Sequence, residues 1–188
     1  MPSTLWTGAK VDLVKVHEDD LALAQYCFDQ TPSYHQLVMG EAADPGMARR
    51  CLHAPIPRSA KSLKVFKYFA GALRSGSSEW VGLMDLYVAY PKYDAATIAS
   101  FLVREPLHRR GWGSAMLESL EAWLGDCHPA TSWLDITITD DNHVATRFLQ
   151  ARGFERTDDW HRIPFKGKER LVARFEKRLD RAPSSGLP

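Results

Sequence analysis

Apolar and polar positions alternate in "VDLVKVH", which reads as a first strand, and the pattern then changes period. In "EDDLALAQYCFDQ", Leu21, Leu23, Ala24, Cys27 and Phe28 recur at helical spacing, behind acidic residues Glu18, Asp19 and Asp20 that suit a positive helix N-terminus. "TPSYHQLVMGE" predicts a second short helix, with Pro32 in its first turn and Gly40 at its end. From Ala42 to Lys61 the pattern breaks up around Pro45, Pro55 and Pro57, leaving "MARRCL" as one further helical turn.

"SLKVFKYFAGAL" and "EWVGLMDLYVAY" flank the turn cluster "RSGSS" and predict an antiparallel hairpin, with "TIASFLV" as a third strand. Met116, Leu117, Leu120, Trp123 and Leu124 form the core-facing stripe of a long helix beginning near Ser114. "SWLDITITD" follows as a strand with Leu134, Ile136 and Ile138 on one face, then a helix from about Asn142 to Ala151, with Gly153 placed for a left-handed cap. "RLVARFEKRL" is the last strand, with one more near Trp160, and the arginines from Arg170 to Arg181 read as a solvated strand edge. The order is β, α, α, β, β, β, α, β, α, β: residues 1–10 an N-terminal extension, 11–178 one domain, 179–188 a flexible tail.

The 188 residues, 45% hydrophobic, suffice for one core. A net charge of +1 argues against a nucleic-acid partner, so any anion site must be local. Cys27, Cys51 and Cys127 are an odd, widely spaced set that suits thiols in a reducing compartment. No stretch approaches the ~20 apolar residues that cross a bilayer, and the start has no secretory pattern, so the expectation is a cytoplasmic protein away from membranes. His53, His128, His143 and His161 lack ligand spacing, so no metal is expected and surface or capping roles suffice for them.

The chemistry concentrates in "HRRGWGSAMLESLEAWL", His108 to Leu124. Gly111 and Gly113 remove side chains where a strand turns into a helix, leaving amide N–H groups for an anion, and His108, Arg109 and Arg110 add charge beside them. A Walker loop needs Gly-Lys-Ser/Thr, which is missing, and a dinucleotide fingerprint needs glycine where Met116 stands. A pyrophosphate is the natural ligand.

"HRRGWG" resembles the Q/R-x-x-G-x-G/A signature of the GNAT superfamily of acyl-CoA-dependent N-acyltransferases, and "NHVATRFLQARGF" resembles that family's N-x-x-A-x-x-F-Y-x-x-x-G-F segment. The likeness is clearest from Thr97 to Phe154, and "PSY" and "MDL" elements resemble an uncharacterised bacterial subgroup. It implies an α/β (α+β) GNAT fold: a mixed central β-sheet with a splayed strand pair, flanked by helices, the splay lying between "TIASFLV" and "SWLDITITD". It implies acetyl-CoA, or another short acyl-CoA, as co-substrate and no metal. The backbone of Phe101, Leu102 and Val103 would pair with the pantetheine arm. His108, Arg109, Arg110, Gly111, Trp112, Gly113 and Ser114 would hold the pyrophosphate, Trp112 doubling as a core anchor, and Asn142 would bond near the thiol end.

Three positions depart from the family. At strict spacing His108 stands where the signature has Arg or Gln, and Arg109 takes that role if the loop is one residue shorter than usual. Leu149 stands where many members carry the tyrosine that protonates the leaving thiolate, and Thr97 where some carry a glutamate base. Asp85, a lone carboxylate in an apolar strand, is a catalytic candidate or the partner of a basic neighbour; Glu105 is a second candidate at the cleft mouth, against a solvated loop acid. Tyr34 is a third candidate, beside His35, on the element that covers the acceptor side in this family, with core packing as its rival role. The expected function is acetyl transfer from acetyl-CoA to a primary amine of a small molecule or a protein, with a homodimer compatible. Leu149 and Thr97 keep open a catalytically weak or inactive acyl-CoA-binding sensor or interaction module; an acetyltransferase acting on charged tRNA is a further alternative that the near-neutral charge disfavours.

Overall fold

In a computed structural model, described for residues 3–179 apart from 39, 43, 59–62, 166 and 167, eight strands form one mixed sheet in the order β1-β2-β3-β4-β5-β6-β8-β7. These are β1 (Ser3–Trp6), β2 (Val11–Lys15), β3 (Phe66–Arg74), β4 (Trp80–Val88), β5 (Ala95–Val103), β6 (Trp133–Thr139), β7 (Glu155–Phe165) and β8 (Lys168–Arg178). The helices are α1 (Leu21–Asp29), α2 (Pro32–Val38), α3 (Met47–Leu52), α4 (Trp112–Cys127) and α5 (His143–Ala151). Every pairing is antiparallel except β5 with β6, whose crossover is the helix α4.

The helices cover both faces. On one, Met116, Leu120, Trp123 and Leu124 of α4 and Leu149 of α5 meet Met84, Leu86, Ile98 and Leu134 of the sheet. Met116, Leu120 and Leu124 are fully buried, worth about 1.5–3 kcal/mol each. On the other face Ala24, Cys27 and Phe28 of α1 and Ala48 of α3 pack on Phe69, Leu83 and Leu102. A 3-10 turn at Glu18–Asp20 precedes α1, closed by the Asp20 carboxylate, which accepts the His17 amide at 3.0 Å. Gly153 adopts the left-handed conformation, φ +83, after α5.

Three features differ from the sequence reading. The extension carries a strand, β1, hydrogen-bonded to β2; four residues are too few for a periodic signal. Helix α4 starts at Trp112, directly after Gly111, rather than near Ser114. The arginine-rich last strand is not an edge: β8 lies between β6 and β7, and Arg174 makes ion pairs with Asp135, Asp159 and Glu176. The edge on that side of the sheet is β7, solvated on most of its length, which explains its weak pattern. Residues 180–188 of the expected tail lie outside the described residues. Among those described, no helix is long and apolar enough to cross a membrane.

Candidate active site

The parallel pairing of β5 and β6 stops early. It runs from Ala95 opposite Trp133 to Ile98 opposite Ile136, after which β5 continues to Val103 along β4 while β6 continues to Thr139 along β8. Ala99 is the extra residue of a bulge, since Asp85 opposes Ser100 and Leu86 opposes Ile98; such a bulge bends its strand and strengthens the local twist. The result is the splay expected from the family pattern. A cleft of about 320 Å3 opens there, with Ser100 and Phe101 on one wall and Ile138, Asn142 and Leu149 on the other. Phe101 and Phe148 stack across it, ring centroids 6.0 Å apart.

The loop before α4 is built for close approach. Arg109 and Gly111 both have left-handed backbones, φ +59 and +77, and the first intrahelical bond is Ala115 N–H to the Gly111 carbonyl at 3.1 Å. The amides of Trp112, Gly113 and Ser114 therefore precede the helix's own hydrogen bonding. A Cβ on Gly113 would stand 3.4 Å from the Phe148 ring, so glycine lets this end of α4 close on the cleft. Lys10, missed in the sequence, donates to the Arg110 carbonyl at 3.0 Å and lies 4.6 Å from the Trp112 ring centroid. His108 turns back onto β5, its Nε2–H donating to the Val103 carbonyl at 2.7 Å, and the partly buried Trp112 packs against the core.

The far side of the cleft is formed by Tyr34 and Val38 of α2 with His161, Ile163 and Val172 of the β7–β8 pair. The C-terminal end of α2 is held by Arg170, which donates to the Val38 carbonyl at 3.4 Å and pairs with Asp141 at 2.9 Å. The Tyr34 hydroxyl bonds to Ser100, and burial raises its pKa.

The two acids singled out in the sequence lie behind this wall. Asp85 is buried beneath α2 and α3, 3.0 Å from Lys67 Nζ; burial raises its pKa against the pull of that ammonium. Glu105 reaches α2, accepting the Ser33 amide at 2.5 Å and the Ser33 hydroxyl; burial pulls its pKa up, and these bonds hold it below the usual range. Neither lines the cleft. The structure adds Asp135, read in the sequence only as a polar step between Leu134 and Ile136. It is buried, accepts Thr97 Oγ1 at 3.0 Å and Arg174 Nη2 at 3.3 Å, and burial pushes its pKa up to about 6. His161, which lacked any motif, is on the cleft wall. Among the described residues no group of three or more His, Cys, Asp and Glu side chains could hold a metal.

The profile of the acetyltransferase (GNAT) family matches residues 48–154, more than half of the chain. The protein belongs to the GNAT acetyltransferase family. An acetyltransferase of Thermus thermophilus is similar in structure at 24% identity, TM-score 0.71, over 92% of this chain and 99% of that one. An acetyl transferase of Salmonella typhimurium, which modifies the N-terminal serine of ribosomal protein L7/L12, is similar at 13% identity, TM-score 0.74, over 95% and 100%. The ribosomal L7/L12 alpha-N-protein acetyltransferase RimL in complex with coenzyme A is similar at 12% identity, TM-score 0.71, over 95% and 99%. At these identities the likenesses establish the fold. No curated protein matches the chain by sequence.

The acetyltransferase's cleft suits the acetyl-CoA that its family uses. An unpaired β5 edge leads to the bare amides of α4, with Arg109 and Arg110 exposed beside them. Asn142 spends Oδ1 as the N-cap of α5, accepting the Ala145 amide at 3.0 Å. Leu149 is buried and lines this wall without a hydroxyl.

Proposed function

We propose that this acetyltransferase moves an acetyl group from acetyl-CoA directly to a primary amine carried by a small molecule or a protein. The observation that carries this reading is the cleft at the β5–β6 split, with an anion loop at one end and a proton-bearing hydroxyl, Tyr34, at the other.

The residues Phe101 to Val103 offer an extended backbone to the pantetheine amides, as a strand edge does to a peptide. The Val103 carbonyl is already occupied by His108, so His108 supports this strand's end rather than reaching the pyrophosphate. Arg109 to Ser114 take the pyrophosphate through amides, helix dipole and guanidinium charge, and Lys10 fixes the loop. The amide nitrogen of Asn142 bonds near the thiol end.

Tyr34 takes the part that Leu149 cannot, giving its proton to the departing sulfur. A raised pKa keeps that proton in place at neutral pH, and a thiolate is a tolerable leaving group, with a thiol pKa of about 8.5. Asp85 acts on Tyr34 through space, and Glu105 holds α2 through Ser33; both are positioning residues.

The test is thermal unfolding with acetyl-CoA, CoA and NAD, then thiol release with amines that include peptide N-termini, which the Salmonella neighbour modifies. Both CoA species stabilise the protein, and thiol release requires an amine. Stabilisation by CoA with no thiol release from any amine would favour the acyl-CoA sensor suggested by Leu149; a shift with NAD alone would overturn the reading.

A further inference from the structure

Of the described residues lining the cleft, Tyr34 and His161 are the two with side chains that can give or take a proton. They sit on different elements, α2 and the edge strand β7. Both lie on the side away from α4, where an acceptor enters once the cofactor's phosphates occupy the α4 end. Tyr34 keeps its proton: burial raises its pKa, against the opposing pull of its hydrogen bond with Ser100.

His161 has the opposite character. It is solvent-exposed, and neither ring nitrogen bonds to another described residue, so a lone pair faces the cleft region unspent. The neighbouring walls are apolar, Ile163 and Val172 on its own hairpin and Val38 opposite. On the paired strand, where Val172 lies opposite, the arginines on either side are engaged: Arg170 with Asp141 and over Phe165, 4.4 Å between its guanidinium carbon and the ring centroid, and Arg174 with Asp135, Asp159 and Glu176. An exposed imidazole with no partner among the described residues has its nitrogens available to a molecule that enters the cleft.

We infer that His161 is the group that takes the proton from the acceptor's ammonium, making it a catalytic base of the transfer. This rests on the amine-transfer reading above. An alkylamine, with a pKa like that of lysine, is free base in only about one molecule in a thousand at pH 7.4, so some group must accept its proton. The imidazole lone pair takes that proton and passes it to solvent. The freed nitrogen lone pair forms the C–N bond to the thioester carbonyl carbon, and the C–S bond breaks with its electron pair on sulfur. Sulfur takes the Tyr34 proton, and the second nitrogen proton, lost as the amide forms, restores Tyr34. One ammonium and one thioester give one amide, one thiol and one proton in solvent.

The experiment compares two nucleophiles at pH 7.4 in the full-length protein: benzylamine, which is protonated and apolar, and hydroxylamine, which is already free base. For His161→Gln, kcat/KM with benzylamine falls about 100-fold, the usual range for one lost proton acceptor, while hydroxylamine loses about threefold or less. The CoA-dependent thermal shift of the variant equals that of the wild type. In His161→Ala, added imidazole restores the benzylamine rate and leaves the hydroxylamine rate unchanged. Equal losses with both nucleophiles, an unchanged benzylamine rate, or a failure of imidazole to rescue would overturn the role. A wild-type protein that binds CoA yet releases thiol with neither nucleophile overturns the transfer reading, and the base with it. A wild-type protein that fails to bind CoA overturns the underlying reading instead.

Discussion

Thr97 and Asp135 face each other across the parallel β5–β6 pairing, one step before it ends, with Thr97 Oγ1 donating to Asp135 Oδ2 at 3.0 Å. The bond stands at the closed end of the cleft, where Arg174 adds a second partner. Burial raises the Asp135 pKa to about 6, against about 3.9 for an unfolded aspartate. Between those values the folded chain holds a proton that the unfolded chain has lost. The stabilisation from that proton is full below about pH 4 and disappears as pH rises through 6. Asp135→Asn removes the titration, so the unfolding free energy of the wild type relative to this variant drops by on the order of 2–3 kcal/mol between pH 4 and 7.5. Urea unfolding of both proteins at the two pH values checks this, and a gap independent of pH would refute it.

Gly111 holds φ +77 at the N-cap of α4, and only Lys10 Nζ comes near a Cβ built there, at 3.4 Å. Gly111→Ala therefore costs about 1–2 kcal/mol of backbone strain and leaves CoA binding largely intact. Gly111→Asp puts a carboxylate beside the bare amides and weakens CoA binding at least ~100-fold, equivalent to about 2.7 kcal/mol. Calorimetric titration with CoA, alongside melting curves, separates the two effects; equal CoA affinity in a folded Asp variant would detach the pyrophosphate from this loop.

Tyr34→Phe keeps the ring that packs under α2 and removes only the hydroxyl bonded to Ser100. The expected outcome is an unchanged CoA affinity with kcat lowered about 100-fold, as for one lost proton donor. Steady-state thiol release with benzylamine measures it. A variant with wild-type kcat would return Tyr34 to a packing role.

Gly71, in the middle of β3, lies under the Trp80 ring: a Cβ there would stand 2.4 Å from the ring. Trp80 is buried in the core beneath α1 and has little room to retreat. Gly71→Ala should lower stability by about 1–3 kcal/mol, the usual cost of overpacking. Chemical denaturation reads this directly, and a loss under ~0.5 kcal/mol would mean that Trp80 repacks freely.

The anion loop was legible because its requirement is local. Two glycines between a strand and an amphipathic helix dictate bare amides whatever the rest of the chain does, and the Asn142–Phe154 segment caps its own helix in the same way. The far wall was not legible. Tyr34, His161 and Val172 come from three elements, the first separated from the others by more than a hundred residues, and no spacing rule joins them. Asp85 and Glu105 stood out as isolated acids, but their partners Lys67 and Ser33 belong to other elements, so their attachments emerged only in the folded chain.

By itself the sequence determined what depends on neighbours along the chain. The period of the apolar residues set most strands and helices, and the glycine-containing turn before α4 set the phosphate end of the cleft. Only the tertiary structure decided what depends on register between strands. The pairing of β5 with β6 stops at Ile98 and Ile136, β8 is inserted between β6 and β7, and α2 is tied to β8 through Arg170. The reason is physical: backbone hydrogen bonding between strands joins residues remote in sequence, and the end of one such ladder, rather than any motif, opens the cleft and chooses which side chains face it.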